Sequence, residues 1–120
     1  MIQEDYVSFE TAKLLEEKGF NRVVFKNSPH YAYNADGQLS GPSWDAEYPA
    51  PTLQMAMKWL REKYNLEIYP YHNFYNPKWW FEIIEYPNPV AKYGLGEDEE
   101  FDTYEEACEA AIKYCLENLI

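Results

Sequence analysis

Few side chains in this sequence have the reactivity that catalysis or metal binding needs. There are two histidines, His30 and His72, two cysteines, Cys108 and Cys115, and a run of carboxylates between residues 97 and 102. No glycine-rich phosphate loop, nucleophile elbow or His/Cys cluster at metal-ligand spacing accompanies them. We therefore predict no catalytic residue, no metal and no cofactor, and we do not expect an enzyme.

The two histidines lie far apart in the sequence. His72 falls among the apolar residues of a predicted strand, so we expect a partly buried, hydrogen-bonded core histidine rather than a general base. His30 stands at the start of an earlier predicted strand. Whether it meets Asp36 or Asp45 in space is left open by the sequence.

The cysteines and the acidic run also favour structural roles. Cys108 and Cys115 share one face of a predicted helix, but a separation of about 10 Å along its axis is beyond the reach of a disulfide. We expect two core thiols. The acidic run lacks the ligand spacing of an EF-hand loop, which favours a solvated loop over a calcium site.

The most informative stretch is the aromatic segment from residue 66 to residue 86. Successive side chains of a strand point to opposite faces, so the adjacent Trp79 and Trp80 cannot both enter one core. With a tight turn at Asn76-Pro77-Lys78, one face of the predicted hairpin is mainly apolar and carries Leu66, Ile68, His72, Phe74, Phe81 and Ile83. The other carries Tyr75 and the five residues that we call the aromatic face: Tyr69, Tyr71, Trp80, Ile84 and Tyr86.

The aromatic face is the predicted binding site. Tyrosine and tryptophan dominate interface hot spots because they offer a large contact area at a small cost in conformational entropy. We expect Trp80 to be its anchor. Three kinds of cover remain open: a second copy of the protein, another partner or ligand, or the chain's own segment 38–50, which contains Trp44 and Tyr48.

Helix signals alternate with strand signals along the chain. Ser8 and Gly19 bracket a first helix, Pro51 and Asn65 a second, and Thr103 with Glu106 has the spacing of a capping box before a third. Strands are predicted at RVVFK (22–26), at HYAYNADGQLSG (30–41) with a turn at Asn34-Ala35-Asp36-Gly37, and in the aromatic hairpin. The predicted fold is a single α+β domain over residues 1–120. It has the order α-β-β-α-β-β-α and an antiparallel sheet of about four strands with helices on one face.

Charge narrows the choice of partner. The chain has 10 Lys+Arg against 21 Asp+Glu, a formal net charge of -11, which disfavours direct binding to nucleic acid or to a membrane surface. A protein partner or a homodimer is therefore the leading hypothesis. An acidic decoy that mimics nucleic acid for a host DNA-binding protein is a second, and a small-molecule binder that stacks a ring on Tyr or Trp is a third.

The sequence also bears on location. It opens with acids where a secretory signal would carry Lys or Arg, and it contains no apolar run long enough to span a bilayer. We therefore expect a cytoplasmic protein.

The three helix segments carry a resemblance to known proteins. VSFETAKLLEEKGF, PTLQMAMKWLREKY and TYEEACEAAIKYCLENLI resemble, in this order, segments of short uncharacterised proteins encoded by phages and prophages of gut bacteria. The resemblance covers most of the chain and is weakest from Ser40 to Tyr48 and from Pro87 to Gly96. It implies a phage or mobile-element origin. Because that group has no assigned function, no site residue transfers from it.

Overall fold

The structure, a computed structural model, describes residues 4–26, 28–43, 47–73, 75–93 and 99–120. It is an α+β fold with the helices α1 (Phe9–Glu17), α2 (Leu53–Tyr64) and α3 (Tyr104–Tyr114), and the strands β1 (His30–Tyr33), β2 (Leu39–Ser43), β3 (Tyr48–Pro49), β4 (Leu66–His72), β5 (Trp79–Glu85) and β6 (Val90–Tyr93). The chain divides into two compact units, residues 1–54 and 55–120.

The predicted order and sheet need correction. The order is α-β-β-β-α-β-β-β-α, and the strands form two three-stranded antiparallel sheets instead of one sheet of about four strands. Strands β3 and β6 lie outside every segment in which the sequence predicts a strand.

In the first unit, α1 begins where the sequence predicts. The Ser8 hydroxyl oxygen accepts a hydrogen bond from the Thr11 amide at 3.2 Å, which satisfies one of the amide groups that the first turn leaves unpaired. Gly19, with φ +100°, follows the helix in the left-handed conformation. Ala12 and Leu15, three residues apart on one face of the helix, are fully buried.

The segment RVVFK is not a strand. Residues Arg22–Phe25 form a short 3-10 helix, which Asn21 caps through a 2.9 Å hydrogen bond from the Val23 amide to the asparagine Oδ1. Lys26 then adopts φ +54°, which ends the segment in the left-handed region. The capping side chain therefore outweighs the preference of two valines and a phenylalanine for a strand.

The first sheet has the order β2-β1-β3. The predicted turn at 34–37 joins β1 to β2, and the Asn34 side-chain oxygen accepts hydrogen bonds from the amides of Asp36 and Gln38 at 2.9 and 3.0 Å. Gly37 has φ +83°, which favours glycine, and a Cβ there would lie only 3.0 Å from the Phe9 ring, so a larger residue would also have to displace that ring.

In the second unit, α2 ends at Asn65 as predicted, with φ +59° at that residue. The chain then enters a sheet of order β4-β5-β6 in which β5 is central. Helix α3, which Thr103 caps through a 3.1 Å hydrogen bond from the Glu106 amide, packs on β4 and β5. The interior between them contains Ile68, Phe81, Ile83, Ala107 and Ala111, none more than 6% exposed.

Strand β4 lies at one edge of this sheet and contains Pro70. The Asn73 amide bonds to the Lys78 carbonyl and the Tyr86 amide to the Asn65 carbonyl, at 2.8 and 3.0 Å. Since hydrogen-bonded and non-hydrogen-bonded pairs alternate in an antiparallel ladder, Pro70 falls in a non-hydrogen-bonded pair with Phe81. Its nitrogen therefore lies on the outer edge, where the absence of a proton costs the ladder nothing.

Candidate functional site

The aromatic face lies on the side of the second sheet opposite to α3. The pairing of β4 with β5 places Tyr69 opposite Glu82 and Tyr71 opposite Trp80, with Ile84 opposite Glu67. Tyr86 follows β5 directly, and its amide continues the ladder. The structure thus brings the five predicted residues to one surface, while their role in binding remains a prediction.

The pairing differs from the predicted one in register but not in face. The strands are joined by residues 73–78, so the pairing is displaced by four residues from the one that a tight turn at Asn76-Pro77-Lys78 would give. The hydrogen bond from the Lys78 amide to the Asn76 carbonyl closes a three-residue turn at Pro77 instead. An even displacement leaves the side chains of β4 and β5 on their predicted faces, because strand side chains alternate with a period of two. Tyr75, predicted beside the aromatic face, lies instead in the connection between the two strands.

Much of the aromatic face is open to solvent. Trp80 is 37% exposed, Tyr71 41% and Tyr86 39%, while Tyr69 and Ile84 are half-buried. On the α3 side of the same strands, by contrast, Leu66, Phe81 and Ile83 are buried. Exposed aromatic area of this kind has a favourable free energy of transfer to a protein interface.

The three tyrosine hydroxyls of the aromatic face form hydrogen bonds within it. The hydroxyl oxygens of Tyr69 and Tyr86 lie 2.7 Å apart, and the Tyr71 hydroxyl donates to Glu82 Oε1 at 3.1 Å. The hydrogen bond with Tyr86 and partial loss of solvent raise the pKa of Tyr69 to about 12. Loss of solvent and the hydrogen bond to Glu82 also raise the pKa of Tyr71. Both hydroxyls therefore stay protonated at neutral pH.

Glu82 stands at the centre of the aromatic face and is a residue that sequence reasoning missed. It lies directly opposite Tyr69 and between Trp80 and Ile84 on the same side of β5. Its even spacing from Trp80 and Ile84 was the available signal. A carboxylate surrounded by aromatic rings is an anionic site within an otherwise apolar surface.

Two further carboxylates of this sheet are already paired with cations. Glu67, opposite Ile84, lies 3.5 Å from the Arg61 guanidinium, and Glu85 lies 3.6 Å from the Lys92 ammonium. Glu82 has no such cation among the residues that the structure describes. It is the carboxylate of the aromatic face that is available to a charged group from outside.

The two histidines have different environments, and His72 does not have the predicted one. His72 is exposed at the end of β4, with its ring 4.9 Å from that of Trp79, so the prediction of a core histidine is wrong. Trp79 also packs against Tyr104 of α3, with the ring centroids 5.4 Å apart. His30 is the buried histidine, 6% exposed, stacked 4.3 Å from Phe25.

His30 contacts backbone and an aromatic ring, as a structural histidine does. Its Nδ1 lies 2.9 Å from the Ser28 carbonyl oxygen and donates to it, while Nε2 is buried without a hydrogen-bond partner among the described residues. Asp45, one of the two carboxylates that the sequence left open for it, lies outside the described residues. Phe74, predicted on the α3 side of the hairpin, also lies outside them.

The two thiols lie in the core, and two carboxylates of the acidic run contact the connection between β4 and β5. Cys108 and Cys115 are buried and unbridged, as predicted, and burial raises the pKa of Cys108 to about 11 and that of Cys115 to about 12. Glu97 and Asp98 lie outside the described residues. Further along the run, Glu100 accepts a hydrogen bond from the Asn76 side-chain amide at 2.9 Å, and Asp102 pairs with the Lys78 ammonium.

No group of three or more His, Cys, Asp or Glu side chains in the described residues could hold a metal ion. The segment 38–50, considered as a cover for the aromatic face, contributes β2 and β3 to the first sheet, where Tyr48 packs 5.7 Å from Phe9. Trp44 of this segment lies outside the described residues.

Comparisons with protein-family models, curated proteins and solved structures found no match to this chain. Within the described ranges, no helix combines the length and the apolar character needed to cross a membrane.

Proposed function

We propose that this chain is a small protein-interaction module and that it binds a protein through the aromatic face. The observation that carries the proposal is the exposure of Tyr71, Trp80 and Tyr86, each more than a third accessible, on one side of a sheet whose other side buries Leu66, Ile68, Phe81 and Ile83. A sheet is a rigid scaffold, so these rings are held in place before binding and lose little conformational entropy on contact.

The polar atoms of the surface fit this role. The hydroxyls of Tyr69, Tyr71 and Tyr86 each have a hydrogen-bond partner within the surface itself. In the Tyr69–Tyr86 pair one hydroxyl donates and the other accepts, so one proton of the pair is available to an acceptor on a partner. The net charge of -11 supports a protein partner over nucleic acid or a membrane surface. The sequence alone extends the proposal to a cytoplasmic protein of phage or mobile-element origin.

The first test combines light scattering behind a sizing column with photo-crosslinking in cells. A photoreactive phenylalanine at position 80 is expected to capture either a second copy or a foreign protein. Light scattering separates these cases, since a wild-type dimer should become monomeric in Trp80→Ala.

Tyr75 supplies the matched control. It is an aromatic residue of the same hairpin, 97% exposed, but it lies in the connection between β4 and β5, outside the aromatic face. The same photoreactive group at position 75 should capture much less, and Tyr75→Ala should leave the oligomeric state unchanged. A wild-type monomer that gives no more adduct from position 80 than from position 75 would refute the proposal.

A further inference from the structure

The carboxylate at the centre of the aromatic face narrows the chemistry of the partner. Glu82 receives one hydrogen bond, from the Tyr71 hydroxyl, and no other hydrogen bond or ion pair to it is found among the described residues. An ionised carboxylate has about four acceptor positions, so the capacity for further donors remains. The Tyr71 hydrogen bond also restricts the rotation of the carboxylate and fixes its direction before any partner arrives.

The rings around Glu82 favour a cation as its ligand. Tyr69 stands opposite Glu82, and Trp80 is its neighbour on the same side of β5. The faces of Trp and Tyr rings carry negative potential that attracts ammonium and guanidinium groups. A cation over these rings would meet the ring faces and the carboxylate together.

The geometry points to arginine. Resting on the proposed function, we propose that the aromatic face binds an arginine side chain of a basic segment in another protein, with Glu82 accepting hydrogen bonds from the guanidinium. A guanidinium is planar, bonds a carboxylate through two parallel N–H groups and stacks on aromatic rings. A lysine ammonium is smaller, more strongly hydrated and unable to make the paired contact, so it fits the same surface less well.

Charge complementarity favours a basic partner over a second copy. A two-fold dimer through this face would place two Glu82 carboxylates in one interface, between chains that each carry a net charge of -11. Like charges at an interface cost binding free energy, while a positively charged segment is both attracted over long range and accepted at the site. The occupant is therefore a basic stretch of a different protein.

The experiment uses three short glycine peptides that differ only in three evenly spaced residues: arginine, lysine or citrulline. Citrulline keeps the shape of arginine and removes its charge. Binding to the full chain is followed at moderate salt by the NMR shift of the Trp80 indole N–H, assigned with Trp80→Phe. We expect the arginine peptide to shift this signal in a saturable manner, the lysine peptide to bind several-fold more weakly, and the citrulline peptide to leave it unmoved.

Glu82→Gln tests the assigned carboxylate with almost no change in shape. It should weaken binding of the arginine peptide about tenfold, within the range for loss of a charge-assisted contact. Glu117→Gln removes the same charge from an exposed residue that follows α3 and should change binding less than twofold. Thermal unfolding of both variants confirms that the fold is retained.

The inference is overturned if the citrulline peptide binds as well as the arginine peptide, if the lysine peptide binds as tightly, or if the two glutamine variants weaken binding equally. It is overturned as well if no peptide moves the Trp80 signal at millimolar concentration. Its failure is distinct from that of the proposed function, because crosslinking from position 80 reports any protein partner. Adducts from position 80 without binding of the arginine peptide would leave the interaction surface standing and reject only its preference for arginine.

Discussion

The hydroxyl pair of Tyr69 and Tyr86 couples proton binding to stability. Their 2.7 Å contact is the main cause that raises the pKa of Tyr69 to about 12, against about 10 for a tyrosine in the unfolded chain. The folded state therefore holds this proton more tightly. The resulting stabilisation is complete below pH 10 and is lost as the pH rises towards 12.

Tyr86→Phe removes the hydroxyl partner. We expect the pKa of Tyr69 to fall towards 10 and the loss of stability between pH 10 and 12 to become shallower than in the wild type. A pH titration followed by NMR of tyrosine labelled at the hydroxyl-bearing carbon measures the first effect, and chemical denaturation across the same pH range measures the second. Tyr75→Phe, at an exposed position, is the control. A Tyr69 signal that titrates near pH 10 in the wild type would contradict the prediction.

Single residues also show where sequence reasoning succeeds and where it fails. Caps at Ser8 and Thr103 and the left-handed Asn65 were predictable, because each depends on a side chain and the backbone next to it. The short helix at Arg22–Phe25 was not, since the local bond from Asn21 competes with strand propensities that favour the opposite outcome. The burial of His30 depends on Phe25 and the surrounding packing, and no short pattern in the sequence encodes it.

At the scale of elements, β5 is the central strand of the second sheet. It pairs with both neighbours, and its Ile83 is fully buried on the α3 side. Removing three side-chain carbons there leaves a cavity in a packed layer, so Ile83→Ala should lower the free energy of unfolding by about 2–4 kcal/mol. Chemical denaturation monitored by circular dichroism gives the value.

Val90, on the edge strand β6, is the matched site for truncation of a β-branched residue. It is 48% exposed, and Val90→Ala should cost less than about 1 kcal/mol. Similar losses in the two variants would show that the second sheet is not packed as described.

The two faces of the hairpin could be predicted although its register could not. Alternation of side chains between the two faces is a local property. A displacement of the pairing by four residues, an even number, leaves each strand residue on the same face. Strands β3 and β6 escaped prediction for a different reason. One has two residues and the other has exposed side chains at Val90, Ala91 and Lys92, so neither shows the hydrophobic period of a half-buried strand.

At the scale of the whole molecule, the number of sheets was beyond reach of the sequence. Strand β1 pairs with both β2 and β3, and β5 with both β4 and β6. Which strands share a ladder is decided by contacts between segments distant in the chain, whereas the patterns in a sequence report on neighbours. Each sheet contains three strands that follow one another in the chain. In the first sheet the earliest of them, β1, is central, and in the second sheet the middle one, β5, is central. The repeated order α-β-β-β therefore does not extend to a repeated topology.

The charge of the whole molecule predicts its response to salt. A net charge of -11 at pH 7 opposes compaction through repulsion among carboxylates, and added salt screens that repulsion. Raising sodium chloride from about 10 mM to about 150 mM should stabilise the protein by about 1 kcal/mol, or roughly 3–6 °C in Tm.

The same scan close to the isoelectric point, pI ≈ 4.5, is the control, because the net repulsion vanishes there and the gain should disappear. A Tm at pH 7 that falls as salt is added would mean that attractive ion pairs, and not repulsion, dominate the electrostatics of this fold.

The proline in strand β4 has a consequence for assembly. Pro70 turns a nitrogen without a proton towards the open edge of the sheet, so an incoming strand cannot form an unbroken ladder with β4. Growth by repeated addition of strands at this edge, the route to fibrils, is thereby blocked. A protein that exposes so much aromatic surface can offer its flat face to a partner while its β4 edge resists open-ended polymerisation.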